Sequence, residues 1–120
     1  MSSVQAVCVG VITIDTIALV DKYPGEDERV LAEEIIRAGG GPAAVAAVAL
    51  SRLGIKSAIV GTIGDDADGK EVLRIFAQEG VDTSGISIGT TPTAGSVIVA
   101  SKEHSARAIS TRQPVTQAAM

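Results

Sequence analysis

Ala38-Gly39-Gly40-Gly41-Pro42-Ala43-Ala44-Val45-Ala46-Ala47-Val48-Ala49-Leu50-Ser51-Arg52-Leu53-Gly54 runs from three consecutive glycines through a proline into a stretch of Ala, Val and Leu. Glycine permits positive φ and lets a ligand come close to the main chain. Proline suits the first turn of a helix, where its missing N–H is not needed. A helix over Pro42 to Leu53, with Gly54 just beyond it, would present free N–H groups and a positive dipole end to whatever sits at the glycines. That end suits a hydroxylated or anionic ligand. A tight strand-to-helix turn with no ligand explains the same residues. The helix is apolar nearly all round, which predicts burial.

Upstream of the glycines, Val4 to Val11 is apolar and rich in β-branched residues. It reads as a strand buried on both faces, as in a parallel sheet. Ile12 to Asp15 then leaves the sheet. This puts Asp15 just past a strand carboxyl end, where ligands of open α/β sheets bind; a turn or capping role fits it equally. Thr16 to Val20 reads as a second short strand. Asp21 to Asp27 forms a polar loop with a Pro-Gly turn. Glu28 to Ala38 reads as an irregular strand rather than a helix, since a helix would have to stop abruptly at Gly39.

Downstream, Ser57 to Ile63 is another buried strand. Gly64-Asp65-Asp66 leads into a helix over Ala67 to Glu79, ended by Gly80, with Val72, Ile75 and Phe76 as its apolar stripe. Asp65 and Asp66 stand where an N-cap and first-turn acids belong, and a lone Asp pair lacks the further ligands of a metal site. Val81 to Ile86 reads as a polar connection, with a short strand at Ile86-Ser87-Ile88. Thr90 to Thr93 is a turn. Gly95 to Ser101 and Arg107 to Ser110 form a hairpin about Lys102 to Ser105, with His104 solvated in the turn. From Thr111 the pattern dissolves, so residues 111–120 read as a frayed tail. Alternating strands and helices predict an α/β sheet with right-handed crossovers and a small β-appendage.

The chain has 120 residues, which bounds it at one domain. Hydrophobic residues make up 46% and aromatics only 2%, so the core must be aliphatic. A mean hydropathy of +0.35 excludes a disordered chain. The net charge of −4 and absence of a basic patch argue against nucleic-acid and membrane-surface binding. The single Cys8 excludes an intramolecular disulfide or a CxxC metal site and reads as a buried small hydrophobe. With no signal-like N-terminus and no apolar run of membrane-span length, the expectation is a cytoplasmic protein.

Val9-Gly10-Val11-Ile12-Thr13-Ile14-Asp15, the glycine stretch, Leu53-Gly54, and Val60-Gly61-Thr62-Ile63-Gly64-Asp65-Asp66-Ala67-Asp68-Gly69 together resemble the N-terminal part of the PfkB/ribokinase family of carbohydrate kinases. The resemblance runs from Val4 to Ile109. The Gly39-Gly40-Gly41-Pro42-Ala43-Ala44 form is similar to a branch that includes kinases of sulfo- and phospho-sugars. The resemblance implies a ribokinase-like central α/β sheet flanked by helices, with a β-sheet lid built from residues 16–38 and 95–110. It implies ATP-dependent phosphorylation of a sugar hydroxyl, with ATP and Mg2+ as cofactors and a homodimer formed through the lid. Asp15 would then accept hydrogen bonds from sugar hydroxyls, Thr13 would make a neighbouring contact, and Gly40 and Gly41 would let the backbone touch the sugar.

Two features depart from the family pattern. Val45 stands where the family signature usually has a substrate-contacting Asn, so the substrate differs or this contact is lost. No DTxGxGD-like motif, which carries the family's catalytic base and anion hole, occurs among these residues. The ATP site is therefore expected to be absent from this chain, leaving it inactive alone. One reading makes it the sugar-binding and lid half of a longer kinase. Another makes it a stand-alone sugar-binding or oligomerisation module. A Rossmann dinucleotide domain is weaker, because the glycines lack GxGxxG spacing.

Overall fold

The computed structural model describes residues 3–112. Strand β1 (Ala6–Val9) is followed by β2 (Thr13–Val20), β3 (Glu34–Gly40) and helix α1 (Pro42–Arg52). Then come β4 (Ser57–Gly64), helix α2 (Ala67–Glu79), β5 (Asp82–Gly89), β6 (Ala94–Ser101) and β7 (Ala106–Arg112). The strands form two separate sheets. One is parallel, in the order β1-β4-β5, and the other has the order β3-β2-β6-β7.

In the parallel sheet each crossover passes through a helix. Both helices pack on the face that carries Ile59 and Ile63, where they meet Ala44, Ala47, Val72 and Phe76 in one aliphatic core. Ser57 Oγ donates to the carbonyl of Ala47 at 2.7 Å, tying α1 to β4. At the far ends of the helices the Ser51 hydroxyl donates to the Glu79 carbonyl, and Arg52 pairs with the Glu79 carboxylate at 2.6 Å.

Several sequence expectations change. The first strand is shorter than Val4–Val11 and is covered on one face only, leaving Val7 56% and Val9 41% exposed. The reason is topological: both crossover helices lie on the other face. The same geometry leaves α1 less buried than its composition implies. Ala44 and Ala47 face the core, while Val45 and Leu53 face out. Cys8 is half-buried against the core. Residues 13–20 form one continuous strand, so Asp15 lies within β2 rather than in a segment leaving a sheet. The third strand begins only at Glu34 and extends through Gly40.

Residues 82–89 form a full edge strand, which contains the short strand expected at Ile86-Ser87-Ile88 and extends it back over the expected polar connection. An edge strand with one open face tolerates Ser84 and Ser87, and at Gly85 a side chain would press on Val60 Cγ2. The hairpin is present as β6 and β7, in antiparallel register from Gly95 opposite Arg112 to Ser101 opposite Ala106. Thr111 and Arg112 thus belong to a strand, and the rest of the expected tail, 113–120, lies outside the described residues. Among the described residues no helix is long and apolar enough to cross a membrane.

Asp66 holds the junction between the sheets. It is the N-cap of α2, and its carboxylate accepts from Gly69 N at 2.8 Å, Thr93 N at 2.9 Å and Thr93 Oγ1 at 2.6 Å. Partial burial works to raise its pKa. The Thr93 and Gly69 hydrogen bonds and the Arg112 charge outweigh that and hold it below the usual carboxylate range. A carboxylate with a lowered folded-state pKa stabilises the fold above its unfolded pKa, and that contribution disappears as pH falls through the folded value. Asp66→Ala should cost roughly 1–2 kcal/mol in urea denaturation at pH 7. The gap to wild type should narrow as pH falls from the ordinary carboxylate pKa of about 3.9 down through the lowered folded value.

Candidate functional site

The site forms where β3 turns into α1. Thr13 and Asp15 are two residues apart on β2, so they share a face. Thr13 Oγ1 donates to Asp15 Oδ1 at 3.1 Å. Opposite them, Gly40 pairs with Thr13 and Ala38 with Asp15. A Cβ on Gly40 would lie 2.5 Å from both Thr13 Oγ1 and Asp15 Oδ2. Only glycine lets the hydroxyl and the carboxylate lie over this strand. Gly41 has φ +95° and caps α1, and a side chain there would collide with the carbonyl of Val11. The chain thus reaches the first turn of α1 directly beside the Thr13–Asp15 pair.

Val45 is placed one turn into α1, its amide donating to the Gly41 carbonyl at 2.9 Å. It is 58% exposed. With Thr13, Ile12, Val48 and Phe76 it lines an apolar cavity of about 100 Å³. All five residues expected at the site therefore lie around one strand-to-helix junction. Ser96 was missed. It pairs in register with Asp15, sharing its face, and its hydroxyl lies 3.0 Å from Thr111 Oγ1. Nothing in the sequence could have flagged it, because the parallel pairing of β2 with β6 spans most of the chain.

The arrangement offers a hydroxyl, a carboxylate and close main-chain approach, which are the elements for gripping adjacent hydroxyls. Nucleoside triphosphate fits these residues poorly. The start of α2 is already satisfied by Asp66, while the start of α1 carries Pro42, which has no N–H, and faces the Asp15 carboxylate. Among the described residues no group of three or more His, Cys, Asp or Glu side chains gathers to hold a metal ion.

The model of the pfkB family carbohydrate kinases matches residues 4–119. The chain belongs to this family. It is 37% identical to mouse (Mus musculus) ketohexokinase over 97 residues, which cover 77% of the chain and 32% of that protein. A ribokinase-like structure from Agrobacterium tumefaciens superposes with a TM-score of 0.84 at 31% identity, covering 90% of the chain and 35% of that structure. A fructokinase structure with bound ATP, from Xylella fastidiosa, gives a TM-score of 0.72 at 29% identity over 93% of the chain and 34% of its own. The chain thus spans about a third of the length of these carbohydrate kinases. Family membership displaces the dinucleotide-domain reading.

The glycines supply a direct check on the geometry. Gly40→Ala should destabilise the fold by about 1–3 kcal/mol, as for an overpacked site. Gly39→Ala, whose nearest neighbour would be Ile75 Cγ2 at 4.0 Å, should be tolerated. Denaturant midpoints of the two variants measure the difference.

Proposed function

We propose that this chain is the sugar-binding and lid part of a pfkB-type kinase that phosphorylates a hydroxyl of a sugar or sugar derivative. The observation that carries this reading is the Thr13–Asp15 pair held over Gly40 at the start of α1. Asp15 accepts hydrogen bonds from two neighbouring sugar hydroxyls. Thr13 orients the carboxylate and offers its own oxygen. Gly40 and Gly41 let the ring rest against the main chain, and Ser96 extends the polar face. Val45 presents an apolar wall, so the sugar turns an edge poor in hydroxyls towards α1. ATP, when bound by the longer protein, supplies the phosphoryl group. The residues of this chain bind and orient the acceptor.

The second sheet is the lid in this reading, made of 13–20, 34–40, 94–101 and 106–112. Ile36, Ile17, Ile98 and Ile109 stand in register across all four of its strands, on the face shared with Asp15. Ile36 is 43% and Ile109 50% exposed. An apolar row on an otherwise open sheet favours burial against a second lid, which supports a homodimer formed there. The row also favours the runner-up reading, an assembling sugar-binding module without catalysis. The exposed Val7 and Val9 on the uncovered face of the parallel sheet favour the first reading, because further chain of a longer kinase would cover them.

Calorimetric titration with a panel of pentoses and hexoses tests the site. Asp15→Ala should weaken the best sugar by roughly 1–3 kcal/mol, as for a lost charged hydrogen bond. Unchanged affinity removes Asp15 from the site. Light scattering tests the interface: Ile36→Lys with Ile109→Lys should lower the mass to that of a monomer, and an unaltered mass rejects the isoleucine row as the contact.

A further inference from the structure

The second sheet touches the body of the molecule at its base, where Ile12 and Ile14 enter the common core. The turn between β6 and β7 lies at the opposite end of the sheet. The two sheets share no ladder. Side chains at the start of α2 add contacts across the junction to those of the backbone, and one carboxylate there reaches both edges of the second sheet.

Asp68 lies in the first turn of α2. Its Oδ1 is 2.7 Å from Arg37 Nη2, and its Oδ2 is 3.6 Å from Arg112 Nη2. Arg37 belongs to β3 and Arg112 to β7, the two edge strands of the four-stranded sheet. Both arginines project from the face opposite Asp15, because Arg37 stands in the row of Thr16, Val97 and Ser110, two residues from Arg112. They arch over a cavity of about 290 Å³ floored by Thr16, Gly95 and Ser110. Each carboxylate oxygen serves one edge of the sheet. Arg112 also donates through Nε and Nη2 to the carbonyl of Thr93, at 3.2 and 2.6 Å, and Thr93 is fixed to Asp66. The first turn of α2 thus grips the sheet at both edges and at its entry loop.

We infer that Asp68 is a positioning residue: through Arg37 and Arg112 it sets the angle of the second sheet, and with it the placement of Asp15 over the start of α1. The inference rests on the sugar-site reading for its functional half only. Half-exposed ion pairs add little to global stability. They can still decide orientation, because swinging the far end of the sheet buries and exposes little core. Such pairs are screened by salt, so ionic strength should loosen the sheet as removal of the carboxylate does.

The test uses the natural full-length protein carrying Cys8→Ala, Gln78→Cys on α2 and Glu103→Cys in the β6–β7 turn, with spin labels on both new cysteines. Pulsed electron resonance reads the distance across the junction. Asp68→Asn should broaden or shift that distribution, 0.5 M NaCl should do the same to the wild type, and Asp68→Glu should restore it. In sugar kinetics Asp68→Asn should raise KM roughly threefold to tenfold with kcat little changed, again restored by Asp68→Glu. An unchanged distance distribution overturns the inference. A loosened sheet with unchanged KM overturns the link to the sugar site. If no sugar is bound or phosphorylated, the functional reading fails, and the distance measurement alone decides whether Asp68 holds the sheet.

Discussion

The structure depends on the absence of a side chain at two neighbouring positions. Gly40 must let the Thr13 hydroxyl and the Asp15 carboxylate lie across its strand, and Gly41 must turn the backbone at φ +95° beneath the Val11 carbonyl. Because both conditions are met, β3 runs straight into α1, and the first helical turn begins beside a polar pair on β2. Any Cβ there would separate the pair from the helix.

The two-sheet design follows from that junction. The parallel sheet supplies the rigid frame, with helices on one face and an aliphatic core of Ile59, Ile63, Val72 and Phe76. The second sheet carries Thr13, Asp15 and Ser96, so its attachment controls where the polar groups point. The attachment is made at the start of α2, through Asp66 to the Thr93 loop and through Asp68 to both edge strands. Helix capping, usually a local matter, here joins the two halves of the molecule.

Much of this was legible in the sequence. The Gly-Pro boundary placed α1, and the Asp66 cap and Gly80 placed α2, because caps and helix stops are local signals. Asp15, Thr13, Gly40 and Gly41 were singled out through family resemblance, and the structure brings them together at one junction. Long-range pairing was not legible. The first half of β5 reads as a polar connection until its pairing with β4 is known, and the parallel pairing of β2 with β6 is what brings Ser96 beside Asp15. The burial expected of β1 and α1 failed because composition reports hydrophobicity, whereas the side on which both crossovers lie decides what is covered. The bridge from Asp68 to Arg37 and Arg112 joins residues from three elements and leaves no mark in spacing.

In the proposed function a sugar binds at the junction of β2, β3 and α1. The most direct measurement is a two-dimensional amide NMR titration of the protein with pentoses and ketohexoses. A sugar bound there should shift the amides of Thr13, Asp15, Gly40, Gly41 and Val45 most, on one saturating curve. Saturable shifts confined to other residues, with these five amides unmoved, would contradict it.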